Sequence, residues 1–563
     1  MQKTTGAALI GAAIAGLITL PGLGVGTLWD NSETAYGEVA REILLYRDAI
    51  VLHLNGSPWF VQPPLYFWLA AAFAKVFSLS TFSLRLPSAL ATIAMGALTA
   101  HVVARTAGSR AALYATTVLS TSLMQAIVGR LAIMDALLDL AVAATILCWY
   151  RATCERDWRF FIAGWVTVAL GLLAKGPVAV VVAVLVVGIW YAVERRNGLR
   201  GFPPTRVWII AIAAFLLISA PWFAALASAS GVHALSILIG HYTVGRYVGT
   251  IENQTGPPWY YLPVLILGFF PWVAFLPGAL MFALRKSTRP DGEEPGPLLR
   301  LALVWSIAPL VFFSFAKTKL PNYIALELPG LALLVALYFD SVIGRNRRRS
   351  LLISTAIVPL TIGMLAVAIT VFSHNNRLTA DMQNFSPNLL AVGAAIFVGS
   401  VLTMGLLLSD ANAQFAPYAL GAASLGGVVI LALVALDHAE RFKPIPRLAQ
   451  VISRQRQPED IVAIQGVSGG NALLFYTRPR VQALAPPNAA PGEGEKTARS
   501  IICGTTHRVY VVTSSRRPRP DPTYGRKRTE IARANNDVLL LYEGPPCVPD
   551  RSPKRISSKP SMR

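Results

Sequence analysis

The chain has 563 residues, of which 54% are hydrophobic and only 14% are charged, and its mean hydropathy is +0.52. A water-soluble protein of this length does not need so much apolar surface, so the composition predicts a polytopic membrane protein. The net charge is +21. We expect the excess of positive residues to lie in loops that orient the chain and contact anionic lipid headgroups. A nucleic-acid partner is not expected.

Apolar segments of about 20 residues predict thirteen membrane spans. They are residues 6–26, 85–104, 111–129, 132–150, 160–174, 177–193, 207–226, 259–283, 298–316, 322–342, 350–373, 388–408 and 414–436. Residues 64–77 are also apolar but too short to cross comfortably, and they begin at a double proline. We expect them to form an interfacial or re-entrant helix.

Arginine clusters fall in alternate loops. They are Arg105/Arg110, Arg151/Arg156/Arg159, Arg195/Arg196/Arg200, Arg285/Lys286/Arg289 and Arg345/Arg347/Arg348/Arg349. Such clusters mark the cytoplasmic side, which predicts an inside N-terminus and an outside C-terminus. Single ionisable residues occupy the other loops. Because such groups are costly close to lipid, they predict one functional site on the outer face.

Residues 437–545 are expected to form a small outer α/β domain, and residues 546–563 to be disordered. IPRLAQVISRQ predicts a helix, whereas DIVAIQG, ALLFYT, RVYVVTS and DVLLLYEG predict strands. Cys503 and Cys547 could form a disulfide or remain as two unpaired thiols.

Two carboxylates, Asp30 and Glu33, follow the first span directly, and Tyr36 lies next to them. Carboxylates at the rim of a membrane cavity can orient a sugar, pair with an amine or act as a base. Alternatively, Glu33 lies in the first turn of a capped helix. The segment that starts at Trp29 predicts an amphipathic helix on the membrane surface.

Other isolated ionisable residues stand at later turns on the outer side. Arg130 and Asp135 could form part of a site or only a structural pair. Asp139 lies one helical turn further in. Lys175 could belong to the site or could simply extend its ammonium group to the membrane surface. His241 lies in a further outer loop.

Lys317 and Lys319 lie between two long apolar runs, just before Tyr323. Lysine is a good point-charge partner for phosphate, and a lipid phosphate would arrive at this depth. The sequence has no Walker loop, no G-x-G-x-x-G cradle and no His/Cys metal cluster. Soluble nucleotide chemistry is therefore not expected, and no cofactor is assigned; a divalent metal stays open, although the sequence gives it no support.

Several segments, taken in order, resemble the GT-C membrane glycosyltransferases. The group they resemble most is the bacterial 4-amino-4-deoxy-L-arabinose (aminoarabinose) transferases, which are related to the protein O-mannosyltransferases. The segments are DNSETAYGEVAREI, NGSPWFVQPPL, RLPSAL, GRLAIMDALL, LLAKGP and FAKTKLPNYIALELP. The resemblance covers roughly residues 1–440, and it implies an all-α GT-C membrane domain over residues 1–436 with juxtamembrane helices.

The chain departs from the family at a few motif positions. The usual catalytic-loop aspartate falls on Ser32, the arginine on Ala35, and the Glu-Lys before the double proline on Val61-Gln62. A cationic aminosugar would favour more carboxylates than remain at these positions. Another sugar or acceptor therefore stays open.

The resemblance implies an undecaprenyl-phosphate-sugar donor and transfer of aminoarabinose, or a related sugar, to lipid A phosphate. It also implies a multi-pass protein, expected to be a monomer, in the bacterial inner membrane, with its active site and C-terminus in the periplasm. We predict that Glu33, Asp135 and Asp30 are catalytic. The predicted binding residues for the donor phosphate or substrate are Lys175, Lys317, Lys319, Tyr323, Arg130, Tyr36 and His241.

Two alternatives remain. One is a GT-C transferase that acts on a protein hydroxyl or on another glycolipid. The other is a lipid or solute transporter, although no repeated half is visible and the charges gather at one face instead of the midplane.

Overall fold

A computed structural model describes residues 2–29, 32–199, 201–250, 254–284, 296–345, 348–374, 380–435, 440, 443–478, 480–486, 494–515, 526–545 and 547. The chain divides into two compact units. One comprises Met1–Leu28 and Tyr36–Glu440, and the other comprises Trp29–Ala35 and Arg441–Arg563. The predicted boundary at 436/437 lies outside the described residues and stays a prediction. The same holds for the disordered tail, apart from Cys547.

The first unit consists mainly of apolar helices, which satisfy their backbone N–H and C=O groups internally, as lipid requires. Its first helices are α1 (Gln2–Thr19), α2 (Glu33–Tyr46), α3 (Leu65–Phe77), α4 (Thr81–Thr106), α5 (Ser109–Thr121), α6 (Leu123–Val128), α7 (Asp135–Glu155), α8 (Trp158–Lys175), α9 (Val178–Arg196) and α10 (Thr205–Ser230). A two-residue hairpin, β1 (His53–Leu54) with β2 (Ser57–Pro58), lies between α2 and α3.

The helices that follow are α11 (Val232–Leu235), α12 (Gly245–Val248), α13 (Tyr261–Gly268), α14 (Leu276–Leu284), α15 (Pro297–Phe315), α16 (Leu328–Gly344), α17 (Arg349–His374), α18 (Ala380–Leu408) and α19 (Ala416–Ile430). The π-helical stretches are Ser236–Val244 and Leu431–Ala435, and the 3₁₀ turns are Trp272–Phe275, Pro321–Glu327 and Ala413–Phe415.

Each of the thirteen predicted spans coincides with a helical segment, but not all of them are long straight helices. Among the described residues, ten helices are long and apolar enough to cross a membrane, or eleven if one bent pair counts as a span. The bent pair, Tyr261–Gly268 and Trp272–Leu284, turns by 106°. The first predicted span is the shorter helix α1, and the third is divided between α5 and α6. The count of thirteen therefore stays a prediction.

Two short helices flank the hairpin between the first two predicted spans. The predicted amphipathic helix forms as α2, and residues 65–77 form a separate helix of 13 residues, as their length predicts. Near the end of α2, burial and the neighbouring Glu38 raise the pKa of Glu42 to about 7, although Glu42 also accepts a hydrogen bond from the backbone N–H of Gly56. The placement of both helices at the membrane surface stays a prediction.

Buried tryptophans bind the spans of this unit together. The indole N–H of Trp305 on α15 donates to the carbonyl of Leu326 at 2.8 Å, and that of Trp190 on α9 donates to the carbonyl of Pro297 at 3.0 Å. A buried indole fills much apolar space while its single donor is satisfied. The bond to Leu326 also holds the 3₁₀ turn Pro321–Glu327 against α15.

The second unit is an α/β fold with a five-stranded mixed sheet in the order β4-β3-β5-β7-β6. Its strands are β3 (Ile461–Gln465), β4 (Val481–Ala485), β5 (Val509–Ser514), β6 (Lys527–Ala534) and β7 (Asp537–Glu543). Strands β4, β3 and β5 are parallel, whereas β7 pairs antiparallel with both β5 and β6. Its helices are Pro444–Gln455, Gly470–Thr477 and Glu495–Cys503.

Most of the tail prediction is confirmed, with one error. The predicted helix and three of the four predicted strands form, but ALLFYT lies in the helix Gly470–Thr477. The reason is topological: the parallel strands β3 and β4 need a crossover connection, and this segment supplies it. Sequence reasoning missed β4 and β6. Cys503 and Cys547 form a disulfide, which settles the alternative left open above.

Candidate active site

A cavity of about 300 Å³ lies within the first unit. Its walls come from the start of α7, the turn between α8 and α9, and the end of α15. The 3₁₀ turn Pro321–Glu327 and the π-helical stretch Ser236–Val244 complete them. Most of its wall is apolar, and a few polar side chains face it, as is typical of a ligand site. The polar and ionisable lining residues are Gln62, Asp135, Asp139, Lys175, Tyr242, Thr243, Arg246, Tyr247, Asn322 and Tyr323.

A buried ion pair spans this cavity from α7 to α8. Lys175 Nζ lies 2.5 Å from Asp135 Oδ1, and only 12% and 6% of the two side chains are exposed. Asn322 Nδ2 also donates to Asp135 Oδ1 at 2.5 Å, and Lys175 Nζ lies 5.4 Å from the ring centroid of Tyr323. Three predicted site residues, Asp135, Lys175 and Tyr323, are therefore brought together.

The turn after α8 explains how Lys175 reaches this position. Gly176 has a φ of +85°, in the region that a residue with a Cβ rarely adopts, and Pro177 precedes the first residue of α9. The chain therefore reverses within two residues, and Lys175 and Val178 both line the cavity.

Arg246 enters the cavity from the segment that follows α11. The Thr318 N–H donates to the carbonyl of Arg246 at 3.1 Å, and the Lys317 N–H donates to the carbonyl of Tyr247 at 3.0 Å. The buried Arg246 Nε has no hydrogen-bond partner among the described residues. The backbone of Lys317 and Thr318 therefore fixes the short helix α12, whose Arg246 guanidinium is available for an anion.

The two predicted phosphate-binding lysines do not line this cavity. Lys319 is 5% exposed, and its Nζ donates to the carbonyls of Ser314 and Ala316 at 2.7 and 2.9 Å, at the C-terminal end of α15. Burial and the nearby Lys317 lower the pKa of Lys319, and Lys317 itself is exposed. Cations at helix C-termini are stabilising, so these contacts give Lys319 a capping position. The phosphate role of either lysine stays a prediction.

We expect Lys319→Met to lower the free energy of unfolding by about 1–3 kcal/mol, because the α15 carbonyls lose a buried charged donor. The matched change Lys317→Met removes an exposed charge and should stay within about 0.5 kcal/mol of the parent. Thermal unfolding in detergent measures both variants. Equal destabilisation by the two changes would contradict the capping assignment.

The other three predicted binding residues, Arg130, Tyr36 and His241, do not line the cavity either. Arg130 Nη1 donates to the carbonyls of Ile18 and Thr19 at 2.9 and 3.1 Å, at the end of α1. Burial, together with Arg85, lowers the pKa of Arg130 to about 10, which still leaves it charged at neutral pH. Tyr36 packs edge-on against Phe67 with a centroid distance of 5.6 Å, and His241 is exposed. Their binding roles stay predictions.

Glu33 lies at the first position of α2, and Asp30 is outside the described residues. Glu33 is fully buried, and its Oε2 accepts a hydrogen bond from the Trp29 N–H at 2.9 Å. Glu33 therefore lies in the first turn of α2, as the capping alternative predicts, and its bond to Trp29 ties the helix to the chain before it. The catalytic roles of Glu33 and Asp30 stay predictions.

If Glu33 has only a structural role at the start of α2, Glu33→Gln should keep sugar transfer within a few-fold of the parent, because glutamine can still accept the bond from Trp29. Glu33→Ala removes the acceptor and should cost about 0.5–2 kcal/mol of stability. Transfer assays and thermal unfolding separate the two effects. A loss of ~100-fold or more in Glu33→Gln with normal folding would instead place the carboxylate in the chemistry.

Sequence reasoning did not select Arg246, Asn322 or Gln62 as site residues. Asn322 belongs to the quoted KLPNY motif, and Gln62 appeared only as a departure from the family pattern. Nothing in one sequence separates Arg246 from His241 in the same loop. No group of three or more His, Cys, Asp or Glu side chains suited to a metal ion occurs within the described ranges.

Comparison with known proteins adds independent findings. Residues 61–229 match the family model described as dolichyl-phosphate-mannose-protein mannosyltransferase. The chain is 30% identical over 388 residues to the undecaprenyl phosphate-α-4-amino-4-deoxy-L-arabinose arabinosyl transferase of Shewanella sediminis, an alignment that covers 67% of each chain. It is 33% identical over 389 residues to the protein of the same name from Pectobacterium carotovorum, with 66% of each chain covered.

Solved structures show the same fold. The crystal structure of ArnT from Cupriavidus metallidurans bound to undecaprenyl phosphate aligns with a TM-score of 0.78 at 20% identity, covering 95% of this chain and 98% of that one. Its apo structure gives a TM-score of 0.76 at 19% identity. Among the sequence relatives, the alignments span 67% of the Shewanella protein and 66% of the Pectobacterium protein. The alignment with the protein of the same name from Edwardsiella ictaluri spans 58% of that relative's length.

Proposed function

Because the chain belongs to the family of the undecaprenyl phosphate-α-4-amino-4-deoxy-L-arabinose arabinosyl transferases, we propose that it transfers a sugar from an undecaprenyl-phosphate donor to an envelope acceptor. The chain is a multi-pass membrane glycosyltransferase with the GT-C fold. The sugar proposed is aminoarabinose or a close relative, and the acceptor proposed is a phosphate of lipid A.

One observation carries this proposal: a mainly apolar cavity among membrane-spanning helices is lined by two half-buried cations, Lys175 and Arg246. Cations in such a site are expensive unless they have a charged partner or ligand. Lys175 forms an ion pair with Asp135, whereas Arg246 forms no ion pair with any described residue. A phosphate carried on a lipid supplies the missing anion at this depth.

In the proposed reaction, an acceptor oxygen attacks the anomeric carbon of the sugar. The bond from that carbon to the donor phosphate oxygen breaks, and undecaprenyl phosphate leaves. Arg246 and Lys175 stabilise the charge that develops on the leaving phosphate. A phosphate acceptor is already anionic and needs no strong base. A hydroxyl acceptor must lose a proton, and we propose Asp135 as its base.

We also propose that the protein lies in the bacterial inner membrane as a monomer, with the cavity and the C-terminal unit on the periplasmic side. The arginine clusters in alternate loops support this orientation. Reporter fusions at Arg348 and at Ala490 should give cytoplasmic and periplasmic signals, respectively. Signals from the same compartment at both sites would contradict the topology.

Mass spectrometry of lipid A and other envelope glycans tests the proposed function. A deletion strain should lose one sugar substituent that the parent carries, and the intact gene should restore it whereas Asp135→Asn should not. Loss of the substituent from lipid A phosphate supports the proposed acceptor. Loss from a protein or another glycolipid moves the same chemistry to a different acceptor. Identical envelope glycans in deletion and parent strains would refute a transferase role.

A further inference from the structure

The amino-terminal edge of the sheet in the second unit carries a group of arginines that the proposed reaction does not use. Strands β3, β4 and β5 run parallel, so their first residues lie at the same edge, and the two helices that precede β3 and β4 end beside it. Two hydrogen bonds hold these ends together. The Ser453 hydroxyl donates to the carbonyl of Tyr476 at 3.1 Å, and Arg508 Nη2 donates to the carbonyl of Gln455 at 2.9 Å.

Three arginines at this edge, here called the arginine edge, are exposed and form no ion pair with a described residue. They are Arg454 in the last turn of its helix, Arg478 directly after the next helix, and Arg480 directly before β4. The nearby carboxylates already have partners. Asp460 Oδ2 lies 2.7 Å from Arg508 Nη2, and Glu459 Oε2 lies 3.3 Å from His507 Nδ1. The edge therefore presents three positive charges without an ion-pair partner in the described part of the unit.

Stabilisation of the helix ends accounts for only part of this charge. A cation in the last turn of a helix interacts favourably with the helix dipole, but the effect is small at an exposed position and fades within one turn. Arg480 lies beyond both helices. Arg478 has a φ of +67°, in the region that a residue with a Cβ rarely adopts, so glycine would suit this turn better. The charged side chains themselves therefore need a role.

The chemistry of the arginine edge indicates a partner that presents several phosphates. A guanidinium group can donate two parallel hydrogen bonds to one phosphate, and three such groups suit a surface on which phosphates are dense. For a multi-pass membrane protein, the phosphates at the highest local concentration are those of lipid headgroups. We propose that the arginine edge docks on anionic lipid headgroups at the membrane surface and so holds the second unit against the lipid. This inference does not depend on the sugar or on the acceptor.

Arginine labelling of the parent protein tests this contact one side chain at a time. Phenylglyoxal is uncharged and modifies accessible guanidinium groups, and mass spectrometry locates the label. The full chain is labelled in nanodiscs of phosphatidylglycerol, which is anionic, and in nanodiscs of phosphatidylcholine, which has no net charge. Each residue of the arginine edge should react at least ~5-fold more slowly in phosphatidylglycerol, as expected for a cation close to an anionic surface. The difference should disappear in about 1 M salt, where the Debye length falls to about 3 Å.

Arg499 is the matched control for the labelling. It is exposed, and its helix, Glu495–Cys503, covers the other face of the sheet: Ala463 packs with this helix, whereas the adjacent Ile464 lies beside Gly470. Its labelling should be the same in both lipids. Equal labelling of the arginine edge in both lipids, or equal protection of Arg499, would overturn the inference. Equal protection by soluble glycerol phosphate in phosphatidylcholine nanodiscs would also overturn it, because the edge would then bind a free phosphate instead of a surface.

A variant shows whether the arginines themselves make the contact. Arg454→Gln/Arg478→Gln/Arg480→Gln changes only exposed side chains and should leave the fold intact. For the parent and for Arg499→Gln, the backbone amides of residues 453–460 should exchange hydrogen more slowly in phosphatidylglycerol than in phosphatidylcholine. For the triple variant, exchange should be equal in the two lipids, and a triple variant that keeps the difference would contradict the proposal. Neither measurement involves sugar transfer, so the proposed function is tested separately.

Discussion

Arg246→Ala is expected to lower the transfer rate by ~100- to 1,000-fold, the effect of removing one donor that stabilises developing negative charge. Arg246 lines the cavity, and its buried Nε has no hydrogen-bond partner among the described residues. Folding should be nearly normal, because α12 is held by backbone bonds from Lys317 and Thr318, which the substitution leaves in place. Single-turnover release of undecaprenyl phosphate from the donor measures the effect.

Two further arginine variants show whether the loss is specific. Arg246→Lys keeps the charge but loses the planar fork, so it should retain part of the rate. Arg206→Ala removes an exposed arginine at the start of α10 and should have no effect. Full transfer by a well-folded Arg246→Ala would remove Arg246 from the phosphate site.

Breaking the Asp135–Lys175 pair from one side should damage both stability and activity. Asp135→Asn leaves a buried lysine without its counter-charge, which costs about 3–5 kcal/mol of stability. Transfer should fall by ~100-fold or more, because Lys175 loses the partner that orients it toward the leaving phosphate. Lys175→Met should lower the stability by a similar amount, because it leaves the buried Asp135 carboxylate without its counter-charge. Thermal unfolding and transfer assays are run on the same preparations.

The double variant Asp135→Asn/Lys175→Met separates the two effects. It contains no unpaired charge at this position, so most of the stability should return. Transfer should stay low, because the groups that contact the substrate remain absent. Recovery of transfer together with stability would mean that the pair is only structural, which is one of the alternatives that the sequence left open.

The sequence allowed three of the ten polar and ionisable residues that line the cavity to be predicted. Asp135, Lys175 and Tyr323 could be selected because each follows or precedes a long apolar run, which places it near the membrane rim. Lys317 and Lys319 share that signal. However, whether a side chain in an extended segment points to a cavity or to the end of its own helix depends on tertiary packing. Lys319 turns back to the carbonyls of α15.

The fold was more predictable than the site because hydrophobic length alone marks a span. Its failures have local causes: α5 ends at Thr121, where Ser122 adopts an extended conformation, and the span that contains Pro271 is bent. In the tail, ALLFYT has the composition of a buried strand. Only the pairing of β3 with β4 requires it to be a helix, and that pairing is not visible in local sequence.

The most direct test of a lipid-phosphate-linked transferase is the fate of the donor. Purified protein in nanodiscs is incubated with undecaprenyl-phosphate aminoarabinose and lipid A, and both lipids are followed by mass spectrometry. We predict that undecaprenyl phosphate is released only when acceptor is present, that lipid A gains the mass of one sugar, and that Arg246→Ala slows both changes by ~100-fold or more. An intact donor with lipid A, with other glycolipids and with envelope protein as acceptors would contradict this prediction.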